Sequence, residues 1–124
     1  MRPAPAAVHP ERLLRSIRRM TRYETVLRTP ELGPGNVVEV EAHGQPVALA
    51  NVGQTYYAVA ARCPMDGTNL AREGRLEGEL LICPRDDVAF DVRSGASVNG
   101  AGESLRAFAI QVAGNEIRVG PALG

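Results

Sequence analysis

Apolar and polar residues alternate with a period of two along most of the chain from Tyr23 onward. This period is typical of β-strands that bury one face. Turn residues such as Leu32-Gly33-Pro34-Gly35 and Gly53-Gln54 separate the runs. Strands are predicted at Tyr23–Arg28, Asn36–Ala42, Val47–Val52, Thr55–Ala60, Glu79–Cys83, Val88–Asp91, Leu105–Val112 and Glu116–Val119. Short strands with short connections predict an all-β fold, an antiparallel sandwich or small barrel.

The first 22 residues follow a different pattern. Residues 1–9 are rich in proline and alanine, which predicts a flexible tail. Beyond them Leu13, Ile17 and Met20 recur at helical spacing, which predicts a short N-terminal helix. The chain is therefore divided into a basic arm at 1–22, a β domain at 23–120 and a C-terminal tail at 121–124.

Charge is distributed unevenly in this chain of 124 residues, although its formal net charge is zero. The arm carries six arginines against Glu11 alone, whereas the remainder carries eight arginines against thirteen acidic residues. An acidic body argues against a general nucleic-acid surface. No apolar run approaches membrane-spanning length, and no export signal is recognised, so we expect a cytoplasmic protein without a membrane span.

The basic arm allows three interpretations. It packs on its own domain or frays, it docks on a protein partner, or it lies on a membrane surface, although its apolar face is narrow for the last role. The docking interpretation assigns partner binding to a set of basic and apolar positions on the helix. These are Arg12, Leu13, Ile17, Arg18 and Met20.

Two irregular polar loops interrupt the strand pattern, and each begins with a Cys-Pro pair. They are Cys63-Pro64-Met65-Asp66-Gly67 and Cys83-Pro84-Arg85-Asp86-Asp87. Loops on a β scaffold are where binding sites tend to lie. We therefore expect the candidate site at these two loops.

The loops resemble those of the Rieske family of iron–sulfur domains, which carry Cys-x-His and then Cys-x-x-His. Here Cys63-x-Met65 and Cys83-x-x-Asp86 stand seventeen residues apart. The surroundings are similar as well, at Gly67, Leu70, Gly74-Arg75-Leu76-Glu77-Gly78, Leu80-Leu81-Ile82, Phe90-Asp91 and Ser94-Gly95. The resemblance spans about residues 23–120 and implies a Rieske-like β domain with a two-loop cluster subdomain.

The chain departs from that family at both histidine positions. A Rieske cluster has two cysteines on one iron and two histidines on the other, but Met65 and Asp86 stand at the histidine positions. His9 and His43 do not align with either. The main expectation is therefore no cofactor and no metal. The alternatives are a [2Fe–2S] cluster with non-Rieske ligation by Cys63, Cys83 and Asp86, or one ion such as Zn²⁺ on those three residues.

These substitutions lead to three functional hypotheses. The main one is a non-catalytic, partner-binding accessory component of a larger redox complex, since small subunits of assimilatory nitrite reductases resemble this situation. Its partner would be a protein, such as a larger oxidoreductase subunit. The alternative is an electron-transfer protein with the atypical cluster, and the third is a thiol–disulfide sensor at Cys63 and Cys83. No serine-hydrolase, P-loop or zinc-protease motif occurs, so we do not expect an enzyme.

Overall fold

The computed structural model of the chain describes residues 23–85, 87–98 and 103–123. The predicted N-terminal helix and the arm residues Arg12, Leu13, Ile17, Arg18 and Met20 lie outside the described residues. Asp86 lies outside them too.

The regular structure of the described part is β-structure apart from one short helical turn, as the alternating pattern predicts. A single 3₁₀ turn at Thr29–Glu31 follows the first strand. The strands are β1 (Glu24–Arg28), β2 (Val37–Ala42), β3 (Gln45–Val52), β4 (Thr55–Ala60), β5 (Arg75–Glu77), β6 (Leu80–Ile82), β7 (Ala89–Asp91), β8 (Ala107–Ala113) and β9 (Glu116–Ala122).

Six strands form one antiparallel sheet in the order β1-β9-β8-β4-β3-β2. Its two edge strands, β1 and β2, approach each other, so the sheet curls into a nearly closed barrel. His43, in the turn between β2 and β3, spans this seam. Its backbone N–H donates to the carboxylate of Glu24, and its Nε2 donates to the Gly120 carbonyl at 2.9 Å. These contacts hold together strands that share no ladder.

The remaining strands form a small antiparallel sheet in the order β5-β6-β7. The second cysteine loop connects β6 to β7, whereas the first leaves the end of β4. The sequence pattern misses β5, since its three residues, two of them charged, are too few to establish an alternation. Leu76 pairs with Leu81 on β6, and this pairing completes the strand.

The buried side chains form two hydrophobic clusters, and β3 contributes to both. Ala48 and Ala50 belong to the cluster that also contains Cys63 and Cys83. Val47 and Leu49, which alternate with them, belong to the other cluster. The first cluster thus connects the six-stranded sheet with both cysteine loops, and the predicted all-β antiparallel fold is confirmed.

Candidate functional site

The two cysteine loops have the same backbone geometry. In the first, Gly67 N–H donates to the Cys63 carbonyl at 2.8 Å, and Cys63 N–H donates to the Thr68 carbonyl at 2.8 Å. In the second, Asp87 N–H donates to the Cys83 carbonyl at 3.0 Å, and Cys83 N–H donates to the Val88 carbonyl at 2.9 Å. Each cysteine therefore starts a closed turn and holds both ends of it.

Both cysteines are buried and carry free thiols, with exposed fractions of 2% for Cys63 and 0% for Cys83. Each is followed by an exposed proline, so the chain turns from the core to the surface within one residue. The two Sγ atoms lie within 4.8 Å of each other and of a carboxylate oxygen of Asp66. The fold thus brings together two side chains that are twenty positions apart in the sequence.

Asp66 lies at the candidate site, although the sequence does not predict it as a ligand. Its Oδ2 lies 3.8 Å from the Cys83 Sγ, which donates to it, and its Oδ1 accepts the Thr68 N–H at 2.9 Å. An aspartate that accepts the N–H two residues later forms an Asx turn. The Asp66-Gly67-Thr68 sequence contains this signal, and the turn directs the carboxylate back toward the thiols.

The pKa values of the Cys63 thiol and of the Asp66 carboxylate are shifted in opposite directions. Burial raises the pKa of the Cys63 thiol, while the backbone N–H groups of Met65 and Asp66 donate to its sulfur and oppose that rise. Hydrogen bonding by Thr68, whose backbone N–H donates to Oδ1, lowers the pKa of Asp66. In the metal-free chain at neutral pH, Cys63 is therefore a thiol beside an ionised carboxylate.

The first loop is tied to the barrel and to the small sheet by its continuation, residues 69–74. Asn69 and Arg72 both donate to the Glu39 carboxylate on β2, at 3.1 Å and 2.6 Å. Gly74 passes so close to β6 that a Cβ there would lie 2.6 Å from the Leu70 carbonyl oxygen and 3.1 Å from that of Ile82. Only glycine allows this approach, which brings the first loop beside the strand that leads to Cys83.

The other predicted site residues are placed differently. Met65 lies at the tip of the first loop with 52% of its surface exposed. His43 is engaged at the barrel seam, where its Nδ1 lies 3.2 Å from Glu24 Oε2 and its ring stacks on Phe108. Within the described residues, no imidazole lies at the cysteine loops.

The residues at the two loops include the family's usual ligands for one iron of a two-iron cluster. They do not include the usual ligands for the other iron. The adjacent, buried thiols of Cys63 and Cys83 fit the iron that two cysteines hold in Rieske domains. For the second iron, the described loops contain the thioether of Met65 and the carboxylates of Asp66 and Asp87.

Comparisons with known proteins agree with this geometry. A family model described as "Rieske [2Fe-2S] domain" matches residues 23–109. The ferredoxin component of biphenyl 2,3-dioxygenase from Rhodococcus jostii (strain RHA1) is 30% identical over 90 residues, covering 72% of this chain and 83% of the relative.

Solved structures of ferredoxins are also similar to this chain in fold. The ferredoxin of carbazole 1,9a-dioxygenase from Nocardioides aromaticivorans IC177 has a TM-score of 0.76 at 28% identity, covering 82% of this chain and 99% of that one. A chain in the complex of reduced oxygenase and oxidized ferredoxin in carbazole 1,9a-dioxygenase has a TM-score of 0.77 at 26% identity, with 84% and 98% covered.

These similarities correct the main cofactor expectation. The loss of both aligned histidines predicts a chain without a cofactor, and that prediction is wrong, because the matched domain model is of the [2Fe–2S] type and the relatives are ferredoxins. The absence of both aligned imidazoles does not outweigh the two retained thiols. As for membranes, no helix in the described residues is long and apolar enough to cross one.

Proposed function

Because the chain belongs to the Rieske [2Fe–2S] domain family, we propose that it is an electron-transfer ferredoxin, without a catalytic site of its own, that serves an oxygenase. The observation that carries this proposal is the pair of adjacent buried thiols on two loops of equal geometry. Two similar structures support the oxygenase partner, since one is a ferredoxin of a dioxygenase and the other is a complex of ferredoxin with oxygenase.

The proposal assigns the cluster to residues of both loops. Cys63 and Cys83 bind one iron as thiolates, and Asp86 supplies a carboxylate to the other. Ferric iron accepts carboxylate oxygen readily, whereas the thioether of Met65 is a soft, neutral donor that suits it poorly. Asp86 replaces a neutral imidazole with an anion, so we expect a reduction potential below that of Rieske ferredoxins.

The residues around the thiols suit this role. A bound [2Fe–2S] cluster accepts and releases single electrons. Burial of Cys63 and Cys83 keeps water from their sulfurs, and the N–H groups of Met65 and Asp66 stabilise the thiolate form of Cys63. Met65 and the two prolines that follow the cysteines are exposed, so a partner that docks on the loop tips approaches the site closely.

This proposal replaces the accessory-subunit hypothesis as the better supported one. A ferredoxin and an accessory subunit both bind a larger redox protein, but the relatives that support this chain's family are ferredoxin components. The proposed ligation needs both cysteines reduced, which is consistent with a cytoplasmic location.

Anaerobic reconstitution with iron and sulfide tests the proposal. We expect the full chain to take up two irons and two sulfides, to become brown, and to give a paramagnetic signal on one-electron reduction. Cys63→Ala and Cys83→Ala should each abolish uptake. Met65→Leu, which keeps the size of the side chain and removes its sulfur, is the matched control and should retain the cluster. The reduced chain should then pass its electron to the purified oxygenase of a carbazole or biphenyl dioxygenase.

Two results would overturn the proposal. One is a wild-type chain that stays colourless and free of iron after reconstitution although its thiols are reduced and its circular dichroism is that of a β protein. The other is a cluster that forms equally well in the two cysteine variants, since iron would then be bound elsewhere.

A further inference from the structure

Asp66 places a carboxylate oxygen beside the two cysteine sulfurs of the site. The Sγ atoms of Cys63 and Cys83 and a carboxylate oxygen of Asp66 lie within 4.8 Å of one another, and the Cys83 Sγ to Asp66 Oδ2 distance is 3.8 Å. Asp66 is not one of the ligands that the spacing of the loops predicts.

The Cys83 Sγ to Asp66 Oδ2 distance corresponds to neighbouring ligands of one tetrahedral ion. Zinc binds sulfur at about 2.3 Å and carboxylate oxygen at about 2.0–2.2 Å, so neighbouring ligands of a tetrahedral ion stand about 3.5–3.8 Å apart. In a two-iron cluster the bridging sulfides separate the second iron from the thiolates. A carboxylate on that iron would lie farther from both sulfurs than Asp66 does.

The loop holds the carboxylate in a position to act as a ligand. The Thr68 N–H donates to Oδ1 of Asp66 at 2.9 Å, and Oδ2 of Asp66 faces the Cys83 Sγ. A hydrogen bond from a neighbouring group to a ligating carboxylate orients the ligand, and loss of such partners weakens metal binding. Asp66 itself is exposed while both thiols are buried, so an ion bound here has one side open to solvent.

We propose that Cys63, Asp66 and Cys83 form a site for a single divalent, thiophilic cation of the Zn²⁺ class, in the chain that holds no cluster. The ion takes two thiolates and one carboxylate, and water completes the tetrahedron. Binding releases one proton from each thiol, because the thiolate is the ligand. This single-ion site goes beyond the proposed function. It uses the same two cysteines as the cluster, so the single ion and the cluster exclude each other.

Cobalt(II), which reports tetrahedral thiolate ligation by its colour, is the probe. The metal-free full chain is titrated with Co²⁺ under a phosphine reductant, and Zn²⁺ is then added in competition. We expect one Co²⁺ per chain, a thiolate-to-cobalt charge-transfer band, intense visible bands of tetrahedral Co²⁺, and their loss when Zn²⁺ displaces it.

Two variants test whether the ligating carboxylate belongs to Asp66 or to Asp86. Asp66→Asn keeps the shape of the side chain and should weaken Co²⁺ binding at least about tenfold. Asp86→Asn makes the same chemical change in the other loop and should bind as the wild type does. Circular dichroism confirms that both variants fold.

Several outcomes would overturn the inference: no charge-transfer band, equal affinity in the wild type and Asp66→Asn, loss only in Asp86→Asn, or one Co²⁺ shared by two chains. Because iron–sulfide uptake is measured separately, a chain that forms the cluster and fails with Co²⁺ rejects this inference alone. A chain that binds Co²⁺ and takes up no cluster rejects the proposed function alone.

Discussion

Gly67 and Asp87 take the same left-handed backbone conformation at the same point of the two cysteine loops. Their φ angles are 78° and 58°, and each lies four residues after its cysteine. This conformation is easy for glycine and tolerated by aspartate, but it is costly for most residues. The aspartate at position 87, where Rieske domains usually have glycine, therefore preserves the shape of the second loop.

Substitutions at these two positions test this equivalence. A Cβ at Gly67 meets no atom within 4 Å, so Gly67→Ala changes only the conformational preference, and we expect a loss of about 1 kcal/mol. Asp87→Ala should cost more than Asp87→Gly, because both variants remove the carboxylate and only glycine takes this conformation without strain. Chemical denaturation measures all three. An Asp87→Gly chain less stable than Asp87→Ala would show that the loop does not depend on the left-handed conformation at position 87.

Restoring both imidazoles should convert the ligation to the Rieske type. Met65→His with Asp86→His provides two neutral nitrogen ligands, so we expect a Rieske-like visible spectrum and a midpoint potential above that of the wild type. Each single variant serves as a control and should lack that spectrum. If the double variant and the wild type give the same spectrum and potential, residues 65 and 86 do not face the second iron.

The ion pair between Asp91 and Arg93 should make stability depend on acid pH. Arg93 donates to both carboxylate oxygens, at 3.1 Å from Nε and 2.8 Å from the terminal nitrogen, and these bonds lower the pKa of Asp91. A pKa below the unfolded value, about 3.9, means that the stabilisation is present above that pH and is lost as the pH falls through the folded pKa.

Asp91→Asn should therefore lower the melting temperature near neutral pH, and the difference from the wild type should shrink below about pH 4. Glu73→Gln, which neutralises an exposed carboxylate, is the control. A difference that stays constant across the acid range would mean that the effect of the substitution does not depend on the charge of Asp91.

Removal of residues 1–22 should leave the β domain folded. The described core begins at Tyr23, whose ring lies against Gly120, where a Cβ would collide with it. We expect the melting temperature to change by less than about 4 °C, as for surface changes of small effect. Tyr23→Ala in the full chain should cost about 1 kcal/mol or more and serves as the contrast. Unfolding of the truncated chain would place the arm within the core.

Most of the barrel can be predicted from the sequence because its strands alternate over five or more residues and end at strong turn signals. Thr55–Ala60 is predicted at its observed bounds. β9 extends to Ala122, beyond the predicted end at Val119, since its partners on β8 continue the pairing and Phe108 pairs with Ala122. Such long-range pairing does not depend on the local pattern.

The site is harder to predict than the barrel. The sequence predicts Cys63 and Cys83 as site residues, because each begins an irregular Cys-Pro loop and the two loops resemble those of the Rieske family. Asp66 is not predicted as a ligand, because acidic residues at loop tips are common. Its position beside the thiols depends on an Asx turn that redirects its side chain. The seam contacts of His43 are equally invisible, since they join residues from opposite ends of the β domain.

The division of the buried residues into two clusters bears on how such a chain evolves. Both cysteines lie in one cluster, while the opposite face of β3, with Val47 and Leu49, packs in the other. The loop-tip positions 65 and 66 are exposed and belong to neither. Mutations there cost little folding free energy, so the set of metal ligands can change one residue at a time without loss of the barrel. Ligand identity is thus evolutionarily more labile in this architecture than the fold that presents it.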